Sequence, residues 1–593
     1  MITYRIDATE VHAHRYRVTL TIPEPAAEQR LSLPVWVPGS YLVREFARHL
    51  SGLSARQGEH EVPLAQLDKA TWVARTAARQ GALTINYCVY AFDPSVRAAF
   101  LDASRGFFNG TSLLLRVEGR EDGPHGIELS SLPEGWQVAT ALAPTKVDAA
   151  GRGSYRAGDY DELVDHPVEL GRFWRGAFTA AGVPHEFVVA GALPDFDGDR
   201  LLADTARICA AQIAFWHGAG AAKPPFERYL FMLNAVEDGH GGLEHRASTA
   251  LIAARRDLPR REAAARAATG AEQAEPSDGY VNTLGLVSHE YFHAWNVKRL
   301  RPREFERYDY TRENYTELLW FFEGFTSYYD DLFLRRSGLI DEGRYLKLVA
   351  RTVTNVAATP GRLAQSVAQA SFDAWVKFYR GDENTLNATI SYYAKGALVA
   401  LAFDLTLRAE GKGSLDDVLR LLWARSAGGP IGEVDIAAAL ETIGARSYAS
   451  ELAAWVHGTG ELPLRSLLEA AAVEWQAGAS TLTQRLGMRV AESALTGVKV
   501  THVLRDGAAE RAGVAAGDEI LAWAGWRLRR LDDAARLAAP GVAVPVLVAR
   551  DQRVVELALA LPDEAEGGGA VSLKPAAKPS PTALALYKAW LAG

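Results

Sequence analysis

Cysteine is nearly absent. The 593-residue chain has two, Cys88 and Cys209, far apart and both in apolar surroundings. So thin a supply excludes a disulfide scaffold and reads as buried free thiols in a reducing compartment. A basic excess is also lacking: 64 Lys and Arg stand against 72 Asp and Glu, for a net charge of −8. No electrostatic footprint for nucleic acid is present. No apolar run approaches the roughly 18 residues of a membrane span, so none is expected. The opening residues, Met1-Ile2-Thr3-Tyr4-Arg5-Ile6-Asp7, lack the charged-then-apolar order of a signal peptide. The expectation is a cytoplasmic chain, or a periplasmic one if a leader was trimmed and a Met added. Asn109-Gly110-Thr111 matches a glycosylation sequon, which means nothing without secretion.

What the chain does have is apolar material, 48% of its residues, enough to bury several cores and, by length, to build roughly three or four domains. Its first third reads as β. Tyr16, Val18, Leu20 and Ile22 alternate with Arg15, Arg17, Thr19 and Thr21, the period of a half-buried strand. Similar short runs recur near 31–37, 83–91, 112–117 and 185–191, with Pro and Gly between them, and a β-sandwich is the natural form.

The chemistry is concentrated in Val287-Ser288-His289-Glu290-Tyr291-Phe292-His293-Ala294-Trp295-Asn296. Residues four apart on an α-helix share a face, so the imidazoles of His289 and His293 converge on one metal ion, with Glu290 beside its water. Such H-E-x-x-H spacing describes zinc-assisted attack of water on a carbonyl; the bland alternative is two surface histidines on an ordinary helix. Pro276-Ser277-Asp278 offers a cap, and Arg299, Arg301 and Pro302 mark an end. A catalytic zinc normally takes three protein ligands. Downstream, Glu323 lies between Phe322 and Gly324 in an apolar helix, where a carboxylate needs a cation. Zinc supplies one, making Glu323 the third ligand; an ion pair with an arginine and substitution by Glu317 are the alternatives.

H-E-x-x-H followed by a helix carrying Glu323-Gly324-Phe325-Thr326 resembles the thermolysin-like zinc aminopeptidases. The spacing here, residues 294 to 322 or 29 in all, is longer than in the aminopeptidase N type. That length, the run from His293 to Pro302 and a C-terminal PDZ module together resemble the glycyl aminopeptidase family, over nearly the whole chain. Trp36-Val37-Pro38-Gly39-Ser40-Tyr41-Leu42, with Arg44 and Ala47-Arg48-His49, resembles an N-domain signature of that family. So does the stretch from Asp159 to Glu169, whose acidic cluster is read as a structural or domain-junction element because it lacks ligand spacing.

Further roles follow from the resemblance. Gly241-Gly242-Leu243-Glu244-His245 is similar to the element whose glutamate grips the substrate's free α-amine and whose backbone pairs with the peptide. The glycines allow close backbone approach, and a desolvated ammonium needs a carboxylate partner. Glu244 is therefore the candidate amine anchor, against an ordinary turn carboxylate. His240 and His245 flank it, as polar lining or as additional ligands. Tyr392-Tyr393-Ala394-Lys395-Gly396 resembles the segment that supplies a transition-state tyrosine. Alignment on Lys395-Gly396 selects Tyr393 as donor to the oxyanion, with Tyr392 the adjacent alternative. Residues 259–279 read as a surface excursion.

The C-terminal part carries Gln484-Arg485-Leu486-Gly487-Met488, similar to the carboxylate-binding loop of a PDZ domain, and a PDZ-like pattern from Val503 to Leu521. It is either a peptide-binding module or a degenerate one packed on the catalytic body. Gly567-Gly568-Gly569 and a Lys/Pro stretch form a linker, and Leu584, Tyr587, Trp590 and Leu591 form a helical stripe for docking on this chain or a second copy, ahead of a membrane-surface anchor, for which the stretch is short and carries only Lys588.

The expectation is thus a multidomain α+β chain. An N-terminal β-sandwich covers 1–170, a thermolysin-like zinc catalytic domain 171–360, a helical subdomain completing the site 361–475, a PDZ domain 478–563, and a linker with a short helix 564–593. It is read as a zinc-dependent aminopeptidase with one Zn2+ per chain. The ligands are His289, His293 and Glu323, the proton carrier is Glu290, the oxyanion donor is Tyr393, and Gly241, Gly242 and Glu244 bind peptides by a free N-terminus. The resemblance implies a first residue of Gly or Ala, and the PDZ domain a C-terminal peptide. The rivals are a PDZ-guided zinc endopeptidase and a non-catalytic peptide-binding protein; the second has no use for Glu290.

Overall fold

The computed structural model describes residues 1–76, 81–218, 223–261, 275–495, 497–563 and 569–592. The expected excursion over 259–279 falls largely outside the described residues, as do Gly567 and Gly568 of the expected linker. By compactness the chain divides into two units. The first is Met1–Tyr315 with two short returns, Ser337–Leu339 and Ser426–Pro430; the second is Thr316–Arg336, Ile340–Arg425 and Ile431–Gly593. The division falls inside the segment 171–360, so the H-E-x-x-H residues and Glu323 belong to different units.

Alternation builds the first unit's strands. Ile2–Glu10 pairs antiparallel with Arg15–Ile22 in a register that sets Tyr4 against Leu20 and Ile6 against Val18, all buried. They are central in an eight-stranded sheet, which runs in order from Ala143–Val147 to His60–Val62. Two four-stranded sheets accompany it, one around Arg105–Phe108 and Val168–Gly171, the other around Glu28–Ser32 and Thr71–Arg75. A single apolar core draws on all three, with Tyr4, Ile85, Phe107, Leu170, Leu31 and Trp72 among its members. The expected sandwich is realised as three sheets sharing one core. The run 112–117 splits into a helix, Gly110–Leu113, and a two-residue strand, Arg116–Val117. It is apolar without alternation, so no period distinguishes the two states.

A five-stranded sheet follows in the order Trp174–Ala180, Val183–Ala190, Tyr229–Val236, Ser248–Ala254, His240–Glu244. Its middle three strands are parallel and its outer pairs antiparallel. Tyr229–Val236 is apolar except for Asn234, as suits a central parallel strand. His240–Glu244 is the edge. The helices Gly198–His217 and Asp278–Phe292 pack on this sheet and on each other.

The second unit is helical from Leu319 to Ala470. Its centre is Tyr392–Ala409, and the stretch Thr385–Ala409 is long and apolar enough by length and composition to cross a membrane. This departs from the reading of the sequence, but 78% of its apolar window is buried, as in a core helix. The PDZ strands Met488–Ser493, Gly497–Val503, Glu519–Trp523, Ala543–Arg550 and Arg553–Ala560 form a sheet over their own core. Val571–Pro575, in the stretch expected as linker, is a strand paired antiparallel with Val473–Ala477. The final helix, Pro581–Ala592, docks on its own unit: Tyr587, Trp590 and Leu591 are buried. The Trp590 indole donates to the Tyr328 hydroxyl (2.9 Å), and Arg408 donates to the Ala589 carbonyl (2.7 Å).

Both cysteines are free, Cys209 buried and Cys88 half-buried, and burial pushes the Cys209 thiol up. The sequon asparagine, Asn109, is fully buried and donates to the Val96 carbonyl (2.6 Å).

Candidate active site

In the first unit the site is built on the helix Asp278–Phe292. Ser277 caps it by accepting from the Tyr280 amide (3.1 Å), and Asp278 in the first turn complements the helix dipole. The helix stops at Phe292, earlier than the sequence suggested, because tight turns take over. Ala294 and Trp295 bond back to Tyr291 and Phe292, Lys298 bonds back to the His293 carbonyl, and Val297 has φ +129°.

His289, in the last turn, and His293, just beyond it, bring their Nε2 atoms to 3.1 Å. His293 Nδ1 lies 2.7 Å from the Asn296 carbonyl oxygen. A carbonyl only accepts, so Nδ1 carries the proton and Nε2 keeps its lone pair. Tetrahedral zinc with Zn–N bonds of about 2.0–2.1 Å would set two such nitrogens roughly 3.3 Å apart. The pair fits a shared cation in distance, and His293 fits it in tautomer as well.

Glu290 is 5% exposed and points towards the edge strand: a Cβ on Gly242 would collide with its carboxylate. Gly242 is thus glycine because this carboxylate lies against the strand. Gly241, at φ +155°, has open space where a side chain would stand. Glu244 ends the strand, 4% exposed. Ligand atoms of Glu244, Glu290 and His293 all lie within 4.8 Å of one another. The sequence-predicted residues of this unit are therefore brought together. His240 is exposed at the start of the strand. His245 is 1% exposed and directed away, its Nδ1 3.2 Å from Asp165 Oδ1.

Asp165 comes from the acidic stretch 159–169 and is a structural hub. It accepts from Lys298 Nζ (2.6 Å), from Arg246 Nε (2.9 Å) and from the Arg246 amide (3.2 Å). Burial alone would raise its pKa, but Lys298, with His245 and Arg246, holds the carboxyl well below the usual range. The hub anchors the chain immediately after Glu244.

In the second unit, Glu323 joins the helices Leu319–Phe322 and Gly324–Arg336 and is 2% exposed. Gly324 packs on Gly396 of the helix Tyr392–Ala409, so closely that a Cβ on Gly324 would lie 2.5 Å from Gly396 Cα. The glycines of the two motifs exist for each other: they let the helix bearing Glu323 touch the helix bearing Tyr393. Tyr393 is half-buried while Tyr392 is fully buried in the core. Burial, the charge of Glu323 and the neighbouring Tyr379 push the Tyr393 phenol well above its ordinary pKa, so it keeps its proton and remains a donor. Tyr379, whose hydroxyl lies 3.3 Å from that of Tyr393, escaped sequence reasoning; it sits in a three-residue 3-10 turn with no motif.

The chain matches the family model described as the Peptidase M61 N-terminal domain over residues 3–172, that described as M61 glycyl aminopeptidase over 282–399, and a PDZ domain over 475–538. None of the curated proteins matches it. Among solved structures, an aminopeptidase N family protein from Idiomarina loihiensis is 36% identical over 100% of both chains, with a TM-score of 0.92. An M1 zinc metallopeptidase variant from Deinococcus radiodurans, solved with a Tyr-Ser-Ala substrate, is 15% identical over 78% of this chain and 94% of its own, with a TM-score of 0.47. Legionella pneumophila aminopeptidase A is 13% identical over 99% of this chain and 60% of its own, at 0.48. The class is that of the metallo-aminopeptidases, hydrolases acting on peptides. Within it, the chain belongs to the M61 glycyl aminopeptidase family.

Proposed function

We propose that this chain removes single small residues, Gly or Ala, from the free N-terminus of peptides, with one zinc ion per chain held by His289, His293 and Glu323. The observation that carries this reading is the second carboxylate. Glu244 lies within ligand distance of Glu290 and His293, one acidic group more than a His–His–Glu metal site with its proton carrier requires. An α-ammonium is the cation that would pair with it. The family's description as glycyl aminopeptidase supports a small first residue.

Bound zinc would supply a Lewis acid that polarises the scissile carbonyl and acidifies water. The protein's own groups do the rest. Glu244 pairs with the α-ammonium and sets the first peptide bond against the pair His289 and His293. The edge strand His240–Glu244 offers its backbone to the peptide as an added strand, with open space beside Gly241 and the Glu290 carboxylate against Gly242. Glu290 takes a proton from the attacking water and delivers it to the leaving nitrogen as the C–N bond breaks. The Tyr393 hydroxyl donates to the oxyanion that forms on the former carbonyl oxygen. In the PDZ module, Met488–Ser493 is likewise a sheet edge, the element on which a C-terminal peptide would add.

The test is hydrolysis of a panel of amino-acid anilides and matched N-acetylated peptides, with and without chelator, by wild type and Glu290→Ala. The expected result is chelator-sensitive release of Gly and Ala, lost in Glu290→Ala and on acetylation. Cleavage that persists on acetylated peptides overturns the reading in favour of an endopeptidase.

A further inference from the structure

The amine anchor is touched by a part of the chain two hundred residues away. Val37-Pro38-Gly39-Ser40 is a tight turn in which the Ser40 amide donates to the Val37 carbonyl (3.0 Å). Pro at its second position and Gly at its third, with φ +91°, is the type II pattern. A Cβ built on Gly39 would lie 2.5 Å from each carboxylate oxygen of Glu244 and 2.7 Å from its Cδ. Equal distances to the oxygens with the carbon farther back mean that the turn faces the open end of the carboxylate.

The turn has little freedom to retreat. The Val35 amide donates to the Tyr310 carbonyl (2.9 Å), the Arg44 amide to the Val35 carbonyl (2.8 Å) and the Trp36 indole to the Asp309 carbonyl (2.8 Å). Tyr41 stacks on Phe305 with ring centroids 6.0 Å apart. From the other side, Asp165 anchors His245 and Arg246, the two residues after Glu244.

We propose that Gly39 is a positioning and specificity residue, a backbone stop that holds the Glu244 carboxylate and occupies the space beyond the amine. This rests on Glu244 being the amine anchor. With the stop at the carboxylate's open end, the ammonium pairs with the remaining lone pairs, and no residue can precede it. Exopeptidase selectivity thus comes from a turn of the N-terminal β region as well as from the charge of Glu244. Any side chain at position 39 must displace the carboxylate or the turn, and the positive φ adds strain for every residue but glycine.

The experiment is a double-mutant cycle of Gly39→Ala and Glu244→Ala in the full chain, reading kcat, KM and melting temperature on glycine anilide, with Gly39→Ala/Glu244→Asp as a rescue. Gly39→Ala should raise KM about tenfold or more while kcat changes less. On the Glu244→Ala background, where the space is already vacated, it should change KM less than about twofold and lower the melting temperature only by the strain of the positive φ, less than it does on the wild-type background. Shortening the carboxylate by one methylene should restore part of the loss. If Gly39→Ala alone does not fold, the double variant must, since the collision has been removed. Equal losses on both backgrounds, no rescue by Asp, or a double variant that also fails to fold overturns the proposal. A wild type that cleaves free and acetylated substrates alike instead refutes the amine-anchor reading, and leaves the melting-temperature cycle to judge the contact.

Discussion

Gly324→Ala puts the smallest addition at the tightest crossing in the second unit. Its Cβ would lie 2.5 Å from Gly396 Cα, 2.7 Å from the Gly396 carbonyl carbon and 2.8 Å from the Tyr392 carbonyl oxygen. Ordinary carbon–carbon contact is about 3.5–4.0 Å, so the helices must part by roughly 1 Å. Every atom in the way is backbone, and no side chain can rotate aside. Two effects then compete. Alanine is the better helix former by about 1 kcal/mol, which would raise stability if the crossing were loose. Overpacking a close contact costs about 1–3 kcal/mol, which cancels or reverses that gain. Activity should suffer more than stability. Glu323 directly precedes Gly324, and Tyr393 lies one turn before Gly396; a displacement of about 1 Å in positioned groups costs roughly a hundredfold. The assay is kcat/KM on glycine anilide beside the melting temperature. A Gly324→Ala enzyme that melts higher than wild type, or keeps its rate within about threefold, would refute the argument that the two glycines set the geometry.

Tyr393→Phe should lower kcat by about 10²–10³ with KM little changed, as loss of an oxyanion donor does, whereas Tyr392→Phe should retain most activity; steady-state kinetics of the two separates them. Glu323→Ala should bind much less zinc than wild type in metal analysis of the dialysed protein, independently of any rate. Asp165→Asn leaves Lys298 buried without its counter-charge and should cost about 3–5 kcal/mol at neutral pH. Because the Asp165 carboxyl is held well below its ordinary value, its contribution is complete above the unfolded-chain value of about 3.9 and is lost as pH falls towards the folded value. Denaturant melts should show the gap between wild type and Asp165→Asn narrowing below about pH 4.

The parts of this protein that were legible in its sequence are those whose signal is local. The Ser277 cap, the four-residue step from His289 to His293 and the two-residue period of Tyr16–Ile22 each need only a few neighbouring residues, and each stands where expected. Glu323 could be singled out because an apolar helix is a costly place for a carboxylate. What escaped depends on distant partners. The contact of Gly39 with Glu244 joins residues two hundred apart, and neither neighbourhood encodes the other. Tyr379 reaches Tyr393 from a single 3-10 turn, Phe378–Arg380. The strand Val571–Pro575 looked like linker because its partner, Val473–Ala477, lies across the whole PDZ module. The helix of His289 ends at Phe292, short of Arg299, because Ala294 and Trp295 are as compatible with a helix as with the turns they make.

The Asn387 side chain spans two backbone groups of the PDZ module, donating to the Val503 carbonyl (2.9 Å) and accepting from the Arg505 amide (2.8 Å). Between them, the Leu504 amide donates to the carbonyl of Gly487, in the PDZ loop (2.8 Å). Asn387 itself stands four residues before Ser391, which caps the helix of Tyr393. A module on a flexible tether assists an enzyme by raising the effective concentration of whatever it captures, over a volume set by the tether's reach. This clamp ties the module to the segment that leads into the helix of Tyr393, so a captured peptide would start from a set place rather than from anywhere within a tether's reach. What it can offer a captured peptide is a direction.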